Sequence, residues 1–249
     1  MTGITARAVL WALLGLATCV PELPAQTPGR PAAEQPRTYG ASPPPLRPAA
    51  VEKLSDGRLR VGAVTVNLAT REVSVPGVIN AVPVLEFLVN TKGGYKSYES
   101  AIEADASAID FNLGLILIGL DRDHARNRPR FHFDPLPPSG DQVELWVAWK
   151  TPGGERRVRA EELIWDERSK STMPLGTWVY TGSRFVERTT AFLADVDGVL
   201  VGFVHTPAPL IERMEPVPAY GAIQVNPTLG LMPGSAVTFS VRALGKPGR

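Results

Sequence analysis

Cysteine is almost absent from this chain, with one residue in 249, at position 19. A lone thiol closes no intramolecular disulfide and cannot ligate an iron–sulfur cluster or a multi-cysteine zinc site. A surplus of one charge is missing too. The formal net charge is +1, and residues 1–50 hold four Arg against two Glu, which leaves 22 basic and 23 acidic residues in the remainder. A body this close to neutral lacks the basic excess that a phosphate backbone demands, which argues against nucleic acid as a partner. Beyond the first 50 residues no apolar run reaches bilayer-spanning length, and no internal repeat is present.

Proline, by contrast, is abundant and unevenly placed: nine of the 24 lie between Pro21 and Pro48. Ahead of them, Arg7 precedes a short apolar run from Ala8 to Ala17. That run is too short to span a bilayer and has the form of a secretory signal. Leu16-Ala17-Thr18-Cys19 resembles a bacterial lipobox with an unusual Thr before the cysteine, so lipidation of Cys19 and ordinary cleavage nearby both stay open. The expected organisation is a signal peptide over 1–19, a disordered proline-rich linker over 20–53 and a folded domain over 54–245. This predicts an exported protein of the periplasm or cell envelope.

Within the body, Val64, Val66 and Leu68 alternate with polar or small residues, and Val73 and Val75 resume the alternation, predicting a hairpin. Val82 to Val89 is apolar on both parities and reads as a buried central strand, with Tyr95 to Ala104 as its neighbour. Ile109, Leu113, Ile116, Leu117 and Leu120 follow helical spacing, predicting a helix over about 106–118 capped by Asp105. Gly114 within that helix points to a close backbone contact. A long connection with four prolines spans Asn127 to Asp141. Val143 to Lys150 and Arg156 to Ala160 flank Pro152-Gly153-Gly154 as a second hairpin, and Asp197-Gly198 reads as a two-residue type I′ turn between two further strands. Ala236 to Ala243 supplies a closing strand. The fold class is α+β, dominated by mostly antiparallel strands and hairpins with one principal helix.

Several short stretches resemble the YdjY-domain family of exported bacterial proteins: Pro76-Gly77-Val78, Leu85-Glu86-Phe87, Tyr98-Glu99-Ser100, Asn112-Leu113-Gly114-Leu115 leading to Gly119, Thr181-Gly182-Ser183, Ala194-Asp195 with Gly198, and Asn226 with Pro233. Their order is what carries the resemblance, which covers residues 60 to 245. It implies an exported domain and names no reaction. The family commonly has His-Glu-Ser where this chain has Tyr98-Glu99-Ser100, and a His where it has Asn112. Without those imidazoles the remaining oxygen ligands suit zinc poorly, so neither a metal nor a cofactor is expected.

Four residues are candidate ligand-binding groups. Glu86 shares a strand face with Val84 and Leu88, so its carboxylate is buried and needs a partner, either a structural donor or a bound ligand. Tyr98 and Glu99, adjacent on the predicted strand, face opposite ways, so only one can join Glu86. Asn112 falls on the apolar side of the helix and needs a hydrogen bond, with Glu86 or Tyr98 as the expected partner. His124 and His132 sit among Asp121, Asp123 and Asp134, but the interleaved Arg122, Arg126, Arg128 and Arg130 favour a solvated mixed-charge connection over a metal loop. His205 has no serine elbow to serve. Trp146 and Trp149 differ in parity and cannot share a stacking platform, which makes core packing their expected role.

Two functional expectations follow. The first is a non-catalytic cell-envelope module that binds an envelope protein or ligand, or serves structurally, and touches the membrane only through its signal peptide or a lipid on Cys19. The alternative is an envelope enzyme of hydrolase type using Glu86 or Glu99 as acid or base.

Overall fold

A computed structural model describes residues 47–215 and 221–245. The expected signal segment, Cys19 and most of the proline-rich linker lie outside the described residues.

Strands β1 (Val51–Lys53), β2 (Leu59–Val61), β3 (Val64–Asn67) and β4 (Glu72–Ile79) form an antiparallel meander. The expected β3–β4 hairpin turns where Asn67 Oδ1 accepts the Ala69 and Thr70 N–H groups at 3.0 and 3.2 Å. Strand β5 (Phe87–Thr91) is buried along its whole length but starts later than the apolar run that predicted it. Pro83 has no N–H to give, and the Leu85 and Glu86 N–H groups, each at 2.9 Å, are spent on Ile223 O and Glu99 O. Tyr95–Glu99 forms a 3-10 turn, and only then does β6 (Ser100–Ala104) run parallel to β5. Tyr98 and Glu99 therefore sit on a tight turn where a strand was expected.

Helix α1 (Ala108–Leu117) is capped by Ser107, whose side chain accepts the Asp110 N–H. Asp105, the expected cap, instead pairs with Lys92 at 2.9 Å. Ala108, Phe111, Gly114 and Leu115 form the buried face, and Ile116 is exposed. Apolar residues lie all round this helix, so spacing alone did not fix which stripe faces inward. Gly114 makes the expected close approach: a Cβ there would lie 3.1 Å from Val64 Cγ1 and 3.3 Å from Val73 Cγ1.

The rest comprises β7 (Asp141–Thr151), β8 (Gly154–Arg159), α2 (Ala160–Leu163), β9 (Ile164–Asp166), β10 (Ser171–Thr172), β11 (Trp178–Tyr180), α3 (Leu193–Asp197), β12 (Val199–Gly202), β13 (Ile211–Arg213), β14 (Ile223–Val225) and β15 (Ala236–Ala243). The sheet closes on itself in the order β4, β15, β7, β11, β13, β12, β5, β6 and back to β4. Among the described residues only β5–β6 and β12–β13 pair in parallel. Register fixes the inner face. Val75 lies opposite Phe239 and Phe239 opposite Val147, while Val73, Val241 and Leu145 align in the next layer, and all are buried. The intervening positions Glu72, Glu144, Trp146 and Arg242 face out, so Trp146 and Trp149 do point opposite ways. The β7–β8 hairpin and β15 stand where the sequence placed them.

Asp197-Gly198 does not close a hairpin. Residues before it form α3, and Gly198, at φ 69°, is that helix's left-handed cap. A glycine tolerating positive φ serves either motif, so the dipeptide alone did not distinguish them. Contact with Gly94 is close enough that a Cβ on Gly198 would collide with its backbone. The helix also carries Asp195, whose carboxylate accepts the Ala108 and Ile109 N–H groups at 2.6 and 3.2 Å and so caps α1 from outside.

Candidate functional site

The connection between α1 and β7 crosses the outside of the barrel as a strap and leaves a cleft of about 200 Å³ beneath it. Leu85, Phe133, Pro137, Phe203, Met214 and Ile223 give the cleft an apolar lining, joined by Asp134 and His205. Phe133 has φ 61°, a backbone region costly for a bulky side chain, yet it is 52% exposed. Strain of that kind persists only where surrounding contacts hold it.

His205 supplies those contacts. Its main-chain oxygen accepts the Phe133 N–H at 2.8 Å. Its ring lies with Nδ1 2.9 Å from Asp134 O and Nε2 2.8 Å from Arg213 O. Both oxygens can only accept, so both contacts are hydrogen bonds only when the ring carries both protons. Asp134 is likewise consumed within the strap: its carboxylate accepts the Arg130 and Leu136 N–H groups at 3.1 and 3.2 Å and pairs with the Arg130 guanidinium. The polar groups in the lining thus fasten the strap to the barrel.

Glu86 is buried, as expected, and lies just before β5. His132 Nε2 stands 3.2 Å from its Oε2, and the His132 ring stacks on Phe133 with centroids 4.1 Å apart. His132 therefore does more than sit in a solvated loop. Glu86 and His132 flank the cleft through their chain neighbours Leu85 and Phe133 without belonging to its lining.

The Glu99 main-chain oxygen accepts the Glu86 N–H, and the Glu99 carboxylate pairs with Lys96 Nζ at 2.6 Å. Lys96 Nζ also lies 5.5–5.8 Å from the ring centroids of Phe87, Tyr95 and Tyr98. These contacts pin the 3-10 turn, with the Tyr98 ring half-exposed above it. Burial opposes the charge on Lys96, but the bonds to Glu99 and Tyr98 outweigh it and raise its pKa.

Asn112 has a different partner from the one expected. The Tyr180 hydroxyl donates to Asn112 Oδ1 at 2.6 Å, tying α1 to β11. Burial pushes the Tyr180 phenol up, which keeps it a donor. Asn112 is thus engaged across the barrel wall, and the expected bond from its amide to Glu86 or Tyr98 is replaced.

A second buried polar group was not legible in sequence. Glu161 on α2 is fully buried and accepts Trp178 Nε1 at 2.9 Å and Arg159 Nη2 at 3.1 Å. Arg213, also buried, donates to Pro174 O at 3.0 Å. Desolvation lowers its pKa, against the attraction of Glu215 and Glu161. The only available sign was the Glu161-Glu162 pair set between Ala160 and Leu163-Ile164. Among the described residues no group of three or more His, Cys, Asp or Glu side chains could hold a metal ion.

The cleft itself was missed because it forms between a connection and residues just before β5, just after β12 and β13, and in β14. A long connection carrying four prolines together with Phe131, Phe133 and His132 was the available signal.

The profile of the YdjY domain matches residues 64–231, and the chain belongs to that family. No curated protein and no solved structure matches it.

Proposed function

We propose that this YdjY-domain chain is an exported, non-catalytic cell-envelope module whose strap-covered cleft holds an apolar ligand group. The observation that carries this reading is the spending of polar groups. The one carboxylate in the lining, Asp134, is saturated by its own strap, and the two carboxylates proposed from sequence lie outside the lining with partners of their own. General acid–base chemistry needs a carboxyl within hydrogen-bond reach of a bound substrate, and an apolar pocket with saturated polar walls favours binding alone.

Four of the residues that carry the family signature support the same reading, because they have structural work. Thr181 Oγ1 bonds to Pro209 O at 3.2 Å, Asp195 caps α1, and Asn226 accepts the Thr228 N–H at 3.0 Å while donating to Glu162 O at 2.8 Å. A Cβ on Gly77 would stand 2.6 Å from Glu103 O. Export rests on the apolar leader and proline-rich spacer, with Cys19 as the candidate lipid anchor.

The 3.2 Å approach of His132 to Glu86 beside the cleft favours a second reading, an envelope enzyme of hydrolase type with that pair as acid and base. One comparison separates the two. Binding of the fluorescent apolar probe anilinonaphthalene sulfonate is measured for the parent chain, for Val204→Phe, which enlarges a side chain in the cleft lining, and for Glu86→Gln. The binding reading expects loss in the first variant and retention in the second. Any hydrolytic activity that vanishes in Glu86→Gln, at unchanged thermal stability, supports the enzyme instead. Fractionation and the intact mass of the exported chain decide between a lipidated and a free mature form.

A further inference from the structure

The cleft continues into an apolar lip. Phe131, Phe133 and Leu136 are 50–52% exposed and fall within one short stretch of the strap. Beside them in the chain stand Arg126, Arg128 and Arg130, of which only Arg130 has an ion pair among the described residues. Arg126 and Arg128 donate to the main-chain oxygens of Asp123 and Arg122, and Arg130 is exposed while its partner Asp134 is turned inward. Pockets that take sugars, nucleotides or zwitterions present convergent donors and acceptors, and this lining has spent its own on the strap. Extended peptides bind by pairing with free main-chain groups, yet Pro129, Pro135, Pro137 and Pro138 leave the strap with few N–H groups to offer.

Resting on the reading of the cleft as an apolar site, we propose that its occupant is the hydrocarbon chain of an anionic lipid presented at a membrane surface. Phe131, Phe133 and Leu136 enter the interface, Arg126 and Arg130 meet the head groups, and one acyl chain occupies the space between Phe203, Met214 and Ile223. Half-exposed aromatic and aliphatic side chains flanked by arginine are the chemistry of interfacial attachment, where apolar insertion and attraction to anionic head groups act together.

The test is co-sedimentation of the full chain with vesicles of phosphatidylcholine plus phosphatidylglycerol and with phosphatidylcholine alone, alongside displacement of anilinonaphthalene sulfonate by dodecanoate. Phe131→Ser with Leu136→Ser changes only exposed side chains and is expected to weaken vesicle binding by roughly tenfold or more. Arg126→Gln is expected to cost about fivefold on the anionic vesicles and nothing on the neutral ones. Val204→Phe is expected to abolish displacement by dodecanoate. If the probe binds the cleft but neither dodecanoate nor vesicles compete, the lipid assignment falls and the apolar-site reading stands. Displacement by a peptide instead of a lipid overturns the assignment in the same way. If the probe does not bind the parent chain, the reading beneath it falls as well.

Discussion

Phe111 and Phe133 show how differently this barrel treats two regions. Phe111 is fully buried on α1, packed near Phe239 with ring centroids 6.2 Å apart, on a helix capped from two sides. Phe133 is half-exposed, holds a left-handed backbone conformation and borders a cleft. The first region is built for stability, with a buried aromatic contact and satisfied caps. The second keeps strain and exposed apolar area that a purely structural element would shed.

Four substitutions sharpen that contrast, taken from the largest effect to the smallest. Phe111→Ala should cost about 3–5 kcal/mol in urea unfolding, as a large core truncation does, and leave probe affinity at the cleft unchanged in the folded fraction. A small loss would mean that α1 is not the rigid region.

Glu212→Gln tests burial beside His205. Glu212 is fully buried on β13, where it accepts the Thr206 N–H at 3.3 Å, and burial raises its pKa well above the ordinary carboxylate range. The folded chain then keeps a proton that the unfolded chain releases. Stability from this group is greatest below the ordinary Glu value and falls as pH rises toward the raised one. The substitution should remove a slope of about 1.4 kcal/mol per pH unit from that window. An unchanged pH–stability curve would contradict the burial.

Tyr180→Phe removes the bond to Asn112 and should cost about 1 kcal/mol by thermal unfolding, again without affecting the cleft. Phe133→Gly should act with the opposite sign. Relief of the left-handed backbone gains up to about 1 kcal/mol, while probe affinity falls. A stability loss there would make Phe133 a structural residue like Phe111.

How much of this was readable from sequence follows from the range of the forces involved. Alternation in Val64 to Val75 and in Ala236 to Ala243 located β3, β4 and β15, because one barrel face is apolar and the period of two records it. Local signals misled where tertiary context chose between equal options. Gly198 could end a helix or turn a hairpin, and α1 could bury more than one of its stripes. Glu86 was correctly read as buried, and its partner was not, because His132 arrives from a connection 46 positions further along the chain. Asn112 was read as needing a partner and found Tyr180, 68 residues away. The cleft depends on Leu85, Phe133, Phe203 and Ile223 meeting from four parts of the chain, and no periodicity records such a meeting.

The most direct test of the central claim is a chemical-shift map of the folded chain titrated with anilinonaphthalene sulfonate. Shifts concentrated at Leu85, Phe133, Phe203, Val204, His205 and Ile223, with Lys96, Glu99 and Asn112 unmoved, are the predicted result. Shifts centred on Glu99, Tyr98 and Asn112 with a silent cleft would contradict the account.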